Sequence, residues 1–314
     1  MSFIDSVLLV AFGGPTAPHE IRPFLEIVTR GRGIPAERLE EVAHHYEQMP
    51  GGRSPLAELT FAQARGLEKA LTGSGPALPV FVGMRNWHPF LHETLAAMAD
   101  KGARRALAVI LSPLRTEASW DRYMQDVAEA RARVNGAPEV GFAPPWFENS
   151  RFVAAVADRA RAALADVPAQ AQASTPLVFT AHSVPTAMAD VSPYVSDLTA
   201  AVRAVVRRLG HTRWSIAYQS RSGSPRQPWL EPDVGDVLRR LAADGEHHAV
   251  VVPIGFVCDH VEVLYDLDVE ARRVAAGAGL ELHRAAAVND HPEFVAMLAD
   301  LVRGARGGAR AGLR

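Results

Sequence analysis

The stretch VVVPIGFVCDHVEVLYDLDVEARR, residues 250–273, decides how the rest of the chain is read. It opens on the β-branched run Val250, Val251, Val252, which Pro253 and Gly255 stop, and it takes on helical character near Asp259. A strand, a turn and a helix in that order are half of a βα unit. Asp259 reads as the helix N-cap, with Glu262 three residues on, close to capping-box spacing. Glu262, Asp266 and Glu270 then recur at i, i+4 and i+8. That spacing stacks three carboxylates on one helix face, with neighbours roughly 5–6 Å apart. Such a stripe is ordinarily a solvated face. Here it starts beyond the carboxyl end of a strand, where open α/β sheets bind ligands.

Outward from this unit, the same alternation covers the chain. Strand-like runs at 7–12, 79–83, 106–111, 177–181, 214–219, 250–252 and 280–286 are separated by helical patterns of ten or more residues. Alternating elements of that length predict parallel sheets with right-handed crossovers. The segment GAPEVGFAPPWFEN, 136–149, carries three prolines and two glycines and reads as a junction. The expected organisation is an N-terminal half, 1–147, and a C-terminal half, 148–303. The Gly/Ala/Arg-rich tail, 304–314, is expected to be disordered. A faint echo links Tyr123, Asp126 and Val127 to Tyr265, Asp268 and Val269 and hints at two halves of similar plan. Gly31, Gly33 and Ala36 fit G-x-G-x-x-A, but they follow a helix, so no dinucleotide fingerprint is read there.

Composition excludes several classes. With 314 residues, 48% hydrophobic and 22% charged, the chain is long enough for two domains of an ordinary globular protein. A formal net charge of -2 implies no nucleic-acid partner. No signal peptide and no membrane span are read, and cytoplasmic residence is expected. Cys258 is the only cysteine, which rules out an intrachain disulfide and a four-cysteine zinc or iron–sulfur site within the chain. There is no G-x-S-x-G elbow and no H-E-x-x-H. The adjacent pairs His44-His45 and His247-His248 read as surface residues.

His182 differs, because it follows the strand 177–181 and so reaches the ligand-binding edge of the sheet. If that strand neighbours 250–252, imidazole and the Glu262 carboxylate converge. The pair would offer a base that titrates near neutral pH, with an anionic stripe leading away. Oxygen donors plus one imidazole suit protons or transient Fe(II), with no thiolate to trap the ion. Phe12, Trp87, Trp120, Tyr123, Trp229 and Phe256 could line a flat apolar pocket, although each alone is ordinarily core packing.

The chain resembles the ferrochelatase family from end to end. The resemblance is carried by LLVAFGGP (8–15) with Arg22-Pro23-Phe24-Leu25, YEQMPGGRSPL (46–56), VGMRNWHPF (82–90), TAHSVP (180–185), YQSRSGSPRQPWLEPDV (218–234) and PIGFVCDHVEVLYDLDVEA (253–271). It implies an α/β fold of two similar Rossmann-like, chelatase-type domains. Each would be a parallel sheet flanked by helices, with a porphyrin cleft between them. The implied activity is insertion of Fe(II) into a porphyrin with release of two pyrrole protons. His182 and Glu262 match the family's catalytic histidine and carboxylate and its transient metal contacts. Asp266 and Glu270 match its acidic relay. Phe12, Tyr46, Arg53, Ser54 and Tyr123 are the expected substrate-binding residues, the last four as partners of propionates.

TRGRGIP (29–35), SPLRTEASWDRY (112–123) and the 218–234 loop resemble the soluble bacterial coproporphyrin III branch. Phe12 departs from that branch, since it stands where many members carry an iron-ligating tyrosine. His45 stands where some carry a propionate-binding arginine, which leaves pairing at that position open. The resemblance implies no permanently bound cofactor, Fe(II) as substrate, no [2Fe–2S] cluster and a monomer. Protoporphyrin IX as substrate, another chelatase chemistry on cobalt or sirohydrochlorin, and a non-catalytic haem-binding or delivery protein remain open.

Overall fold

A computed structural model describes residues 4–31, 33–73, 78–222 and 227–306. Its contacts divide the chain into two units. Unit 1 comprises residues 1–111, 118–145 and 294–314, and unit 2 comprises 112–117 and 146–293.

In unit 1, β1 (Ser6–Ala11), β2 (Val80–Met84), β3 (Arg105–Ile110) and β4 (Glu139–Phe142) form a parallel sheet in the order β2-β1-β3-β4. All six residues of β1 are buried. A central parallel strand is covered on both faces, so SVLLVA reads as a continuous apolar run and does not alternate. The helices are α1 (Ile21–Thr29), α2 (Ala36–Glu47), α3 (Leu56–Thr72), α4 (Leu91–Asp100) and α5 (Arg122–Ala132), the last entered through a π-helical turn at Glu117–Asp121.

Unit 2 repeats the plan. It holds α6 (Ser150–Ala165), β5 (Leu177–His182), α7 (Thr186–Asp190), α8 (Tyr194–Leu209), β6 (Trp214–Gln219), α9 (Val234–Ala243), β7 (His248–Val252), α10 (Val261–Tyr265), α11 (Arg272–Gly277) and β8 (Glu281–Arg284). The parallel strand order is β6-β5-β7-β8. In each sheet the crossovers reverse direction at one point, between β1 and β3 and between β5 and β7. Open parallel sheets take ligands outside the strand ends at that point. The final helix, α12 (Pro292–Arg306), crosses from unit 2 to unit 1 at Phe294.

Several expectations are corrected. The junction 136–149 contains β4, a four-residue edge strand flanked by Ala-Pro and Pro-Pro. Its backbone pairing with β3 makes it a strand, and nothing in its apolar pattern announces one. The last helix, read as part of the C-terminal half, packs from Phe294 onward with unit 1, where Arg303 Nη2 donates to the Ala70 carbonyl at 2.9 Å. The tail expected to be disordered is drawn three residues too early, since 304–306 complete α12, and the remainder lies outside the described residues. Residues 32 and 223–226, within TRGRGIP and the 218–234 loop, also lie outside them. The helix expected from Asp259 is interrupted by a π-helical segment at Asp266–Ala271 between α10 and α11.

Candidate functional site

β5 and β7 are paired neighbours, with Phe179 opposite Val252, so the condition set by the sequence for His182 and Glu262 to meet is fulfilled. His182 is the last residue of β5 and Glu262 the second of α10. His182 Nε2 lies 3.9 Å from Glu262 Oε1, with the side chains 29% and 40% exposed, so the pair is reachable from solvent. The other ring nitrogen, Nδ1, contacts the Ser183 carbonyl. A carbonyl only accepts, so Nδ1 carries the proton. In the neutral ring, Nε2 then turns a lone pair toward the carboxylate. That lone pair can take a proton or hold a divalent ion.

Several contacts fix this geometry. Tyr194 Oη donates to the His182 carbonyl at 2.7 Å. Burial, with Tyr218 and Glu262 adding, raises the Tyr194 hydroxyl above its ordinary range, so it remains a donor. Gln219, paired with His182 across β5 and β6, donates from Nε2 to the Glu262 carbonyl at 2.6 Å. The close approach of the 253–258 turn to β5 requires Gly255, because a Cβ there would lie 2.6 Å from that of Ala181.

The N-cap is corrected. His260, not Asp259, caps α10, its Nδ1 accepting from the Glu262 amide at 3.2 Å. Burial pushes the His260 imidazole down despite Glu262 and Asp259, and His182 adds to the lowering. Asp259 serves a different purpose. It accepts from Arg284 Nη1 at 2.8 Å, Asn289 Nδ2 at 2.7 Å and the Ala287 amide at 3.1 Å. Arg284 also holds Asp268 at 2.6 and 2.9 Å. Burial works against its charge, but the two carboxylates raise it. The segment carrying the acidic stripe is thereby anchored to the end of β8.

The stripe is not three equal anions. Burial first, and then Glu262, Glu270 and Asp233, push the Asp266 carboxyl up to about 8 against a hydrogen bond from Ser220. Asp266 therefore holds its proton at neutral pH, while Glu270 is exposed. A carboxyl that titrates near neutrality between a half-exposed glutamate and an exposed one can pass protons outward.

In unit 1 the expected substrate residues divide by exposure. Phe12, just after β1, is 39% exposed and packs edge-on against Phe24 at 6.4 Å. Arg53 is half exposed, with Nη2 3.4 Å from Glu58. Tyr46 and Tyr123 are each 6% exposed and Ser54 is 4% exposed. Tyr46 packs on Phe24, Tyr123 lies under the Arg85 guanidinium at 4.3 Å, and Ser54 Oγ accepts from the Leu56 amide at 3.3 Å, closing the first turn of α3. Arg85 pairs with Asp126 at 2.5 Å. Trp87, Trp120, Tyr123 and Phe256 are buried, as the core-packing reading expects, and Trp229 is half-buried.

Sequence reasoning did not single out His260, Gln219, Ser220, Tyr194 or Arg284. The first three lie within the quoted motifs 253–271 and 218–234, which was the available signal. Tyr194 and Arg284 act through tertiary contacts and left none.

The ferrochelatase family model matches residues 5–306. A coproporphyrin III ferrochelatase of Mycobacterium avium is 44% identical over 95% of this chain and 87% of its own length. One from Frankia alni is 44% identical over 96% and 80%, and a ferrochelatase of Rhodopirellula baltica is 41% identical over 95% and 85%. Among solved structures, SirB from Bacillus subtilis with Fe3+ aligns over 97% of this chain and 96% of its own, at a TM-score of 0.60 and 11% identity, a likeness of fold. A strand-end histidine facing a carboxylate at a sheet switch point, within a chain matched almost from end to end, leaves one conclusion: the protein belongs to the ferrochelatase family.

Proposed function

We propose that this chain inserts Fe(II) into coproporphyrin III, forming Fe-coproporphyrin for haem biosynthesis. Relatives that bear that substrate in their names, at 41–44% identity over most of the chain, support the choice of macrocycle. The observation that carries the catalytic assignment is the approach of His182 Nε2 to Glu262 Oε1 at 3.9 Å, with the ring held by the contact of Nδ1 with the Ser183 carbonyl.

Iron enters as Fe(II) and stays Fe(II). Two pyrrole N–H bonds break, two bonds from those nitrogens to iron form, and two protons leave. His182 Nε2 accepts a pyrrole proton, and Glu262 stabilises the imidazolium. Glu262 and His182 also make the transient contacts with the incoming ion. Asp266, poised near neutrality, and exposed Glu270 carry protons away. Arg53 is the residue to pair with a propionate, since it is charged and exposed. Phe12 offers an apolar face and no iron ligand. Tyr46, Ser54 and Tyr123 are buried, which makes Arg53 the main propionate partner of the four.

The test is metal insertion followed by porphyrin absorbance, with coproporphyrin III, protoporphyrin IX and sirohydrochlorin compared. Coproporphyrin III should turn over fastest, and His182→Ala and Glu262→Gln should each lose about 10²–10⁴-fold, the range of general acid–base catalysis. Near-wild-type turnover in both variants would overturn the catalytic assignment. Preference for another macrocycle would overturn the substrate. Tight haem binding without insertion would make the protein a carrier.

A further inference from the structure

The opposite end of sheet β6-β5-β7-β8 carries a second group of metal-ligating side chains. His248 opens β7 and Glu281 opens β8. In the register His248 pairs with Glu281, and Val250 with His283. Side chains along a strand alternate between faces, so His248 and Val250 share a face with Glu281 and His283. Ala249, Val251 and Leu282 take the other face and join the core with residues of α9, α10 and α11. Three donor groups are thus brought together by pairing alone.

Their spacing is that of ligands around one ion. His248 Nδ1 lies 3.3 Å from His283 Nε2 and 3.2 Å from Glu281 Oε2. His283 Nε2 lies 3.9 Å from Glu281 Oε1. A tetrahedral ion with bonds of ~2.0–2.1 Å separates its donors by roughly 3.3 Å. The histidine side chains are 8% and 19% exposed, whereas Glu281 is 64% exposed. The site therefore opens to solvent on the carboxylate side, where an ion could enter and a water complete the shell. Two imidazoles and one carboxylate select Zn(II), Fe(II), Co(II) or Ni(II) over Mg(II) and Ca(II).

This is a different place from the reaction site. Leu177 pairs with Val250. His248 therefore lies seven strand positions behind His182, roughly 23 Å at ~3.3 Å per residue. The cluster bears instead on β8, a four-residue edge strand whose last residue, Arg284, anchors Asp259 and Asp268.

We propose that His248, Glu281 and His283 bind a divalent transition-metal ion that clasps the edge strand β8 to β7, separately from the site of metal insertion. The sequence reading that placed His248 on an open surface is corrected by this pairing, while His247 is exposed as expected.

The experiment uses the full chain stripped with a chelator, then titrated with Zn(II) alone in equilibrium dialysis and scanned for thermal unfolding. Co(II) absorbance reports tetrahedral ligation. Wild type and Glu262→Gln should both retain the clasp ion and gain stability with Zn(II). Glu281→Gln and His283→Gln should bind it about tenfold or more weakly and lose the thermal shift, while Glu281→Gln keeps its turnover on porphyrin. Should His283→Gln fail to fold, exposed Glu281→Gln decides alone. Unchanged Zn(II) affinity in Glu281→Gln, or loss of all Zn(II) binding in Glu262→Gln, would overturn the proposal.

Discussion

Around the switch point of the first sheet the chain places Phe12, Arg85 and Tyr123, and at that of the second it places His182 and Glu262. The strand orders β2-β1-β3-β4 and β6-β5-β7-β8 are the same plan. Even the faint echo between the halves falls in place, with Asp126 in the helix after β3 and Asp268 in the helical segment after β7. Each accepts from an arginine at the end of another strand of its own sheet, Arg85 or Arg284. The chemistry nonetheless diverges. In unit 1 the Arg85 charge is matched by Asp126 and laid on Tyr123, and Phe12 ends the central strand. In unit 2 the central strand ends in an imidazole that faces a carboxylate at 3.9 Å, and the helix after β7 carries further carboxylates. The fold delivers whatever follows a strand to the same place, and the side chains delivered there differ between the halves.

The comparison breaks most sharply at the strand ends. His182→Ala should lower turnover by about 10²–10⁴-fold, whereas Phe12→Leu should cost only about a few-fold, since it alters packing and removes no proton carrier. Steady-state insertion kinetics on both variants check this, and equal losses would show that the halves share the chemistry.

Next comes the arginine anchor. Arg284→Ala removes the close cation from both Asp259 and Asp268, with only Arg272, at 4.0 Å, still near Asp268, and should cost about 3–5 kcal/mol, read by denaturant unfolding. Arg85→Ala should cost less, since it breaks one ion pair where Arg284→Ala breaks two, and Arg122 at 3.1 Å holds Asp126 more closely than Arg272 at 4.0 Å holds Asp268.

A smaller effect is expected from Gly255→Ala. The added methyl would meet Ala181 and displace the turn against β5, at about 1–3 kcal/mol of overpacking. Turnover should fall with stability, because Ala181 precedes His182. Unchanged turnover in a destabilised variant would show that the site tolerates movement of its strand end.

The remaining effect is on pH. Asp266 titrates at about 8 in the folded protein against 3.8 unfolded. The folded state therefore binds the extra proton, and stability falls as pH rises across that window. The loss begins above the unfolded value and is complete above the folded one. Asp266→Asn should flatten thermal stability between roughly pH 4 and 8 and raise it at pH 9. A wild-type curve that does not fall in that range would contradict the burial of this carboxyl.

Much of the plan was legible because parallel strands buried on both faces carry apolar runs, as VLLVA does in β1 and LVF in β5. His182, Glu262, Asp266 and Glu270 were legible because they follow such runs or recur at helical spacing. β4 was not, since EVGF becomes a strand only by pairing at the sheet edge. The N-cap was misread by one residue, because Asp259 and His260 can both accept from an amide and only Arg284 and Asn289, from distant positions, claim Asp259.

By itself, then, the sequence determined the alternation of elements, the exclusion of an intrachain disulfide and of a four-cysteine site by a single cysteine, and the residues that end β5 and begin α10. Tertiary structure decided which of them meet. Pairing of β5 with β7 brings imidazole to carboxylate, burial turns the middle of an acidic stripe into a group that titrates near neutrality, and the register of β8 on β7 gathers His248, Glu281 and His283. The physical reason is common to all three: proximity and desolvation depend on neighbours remote in the chain, and local pattern carries neither.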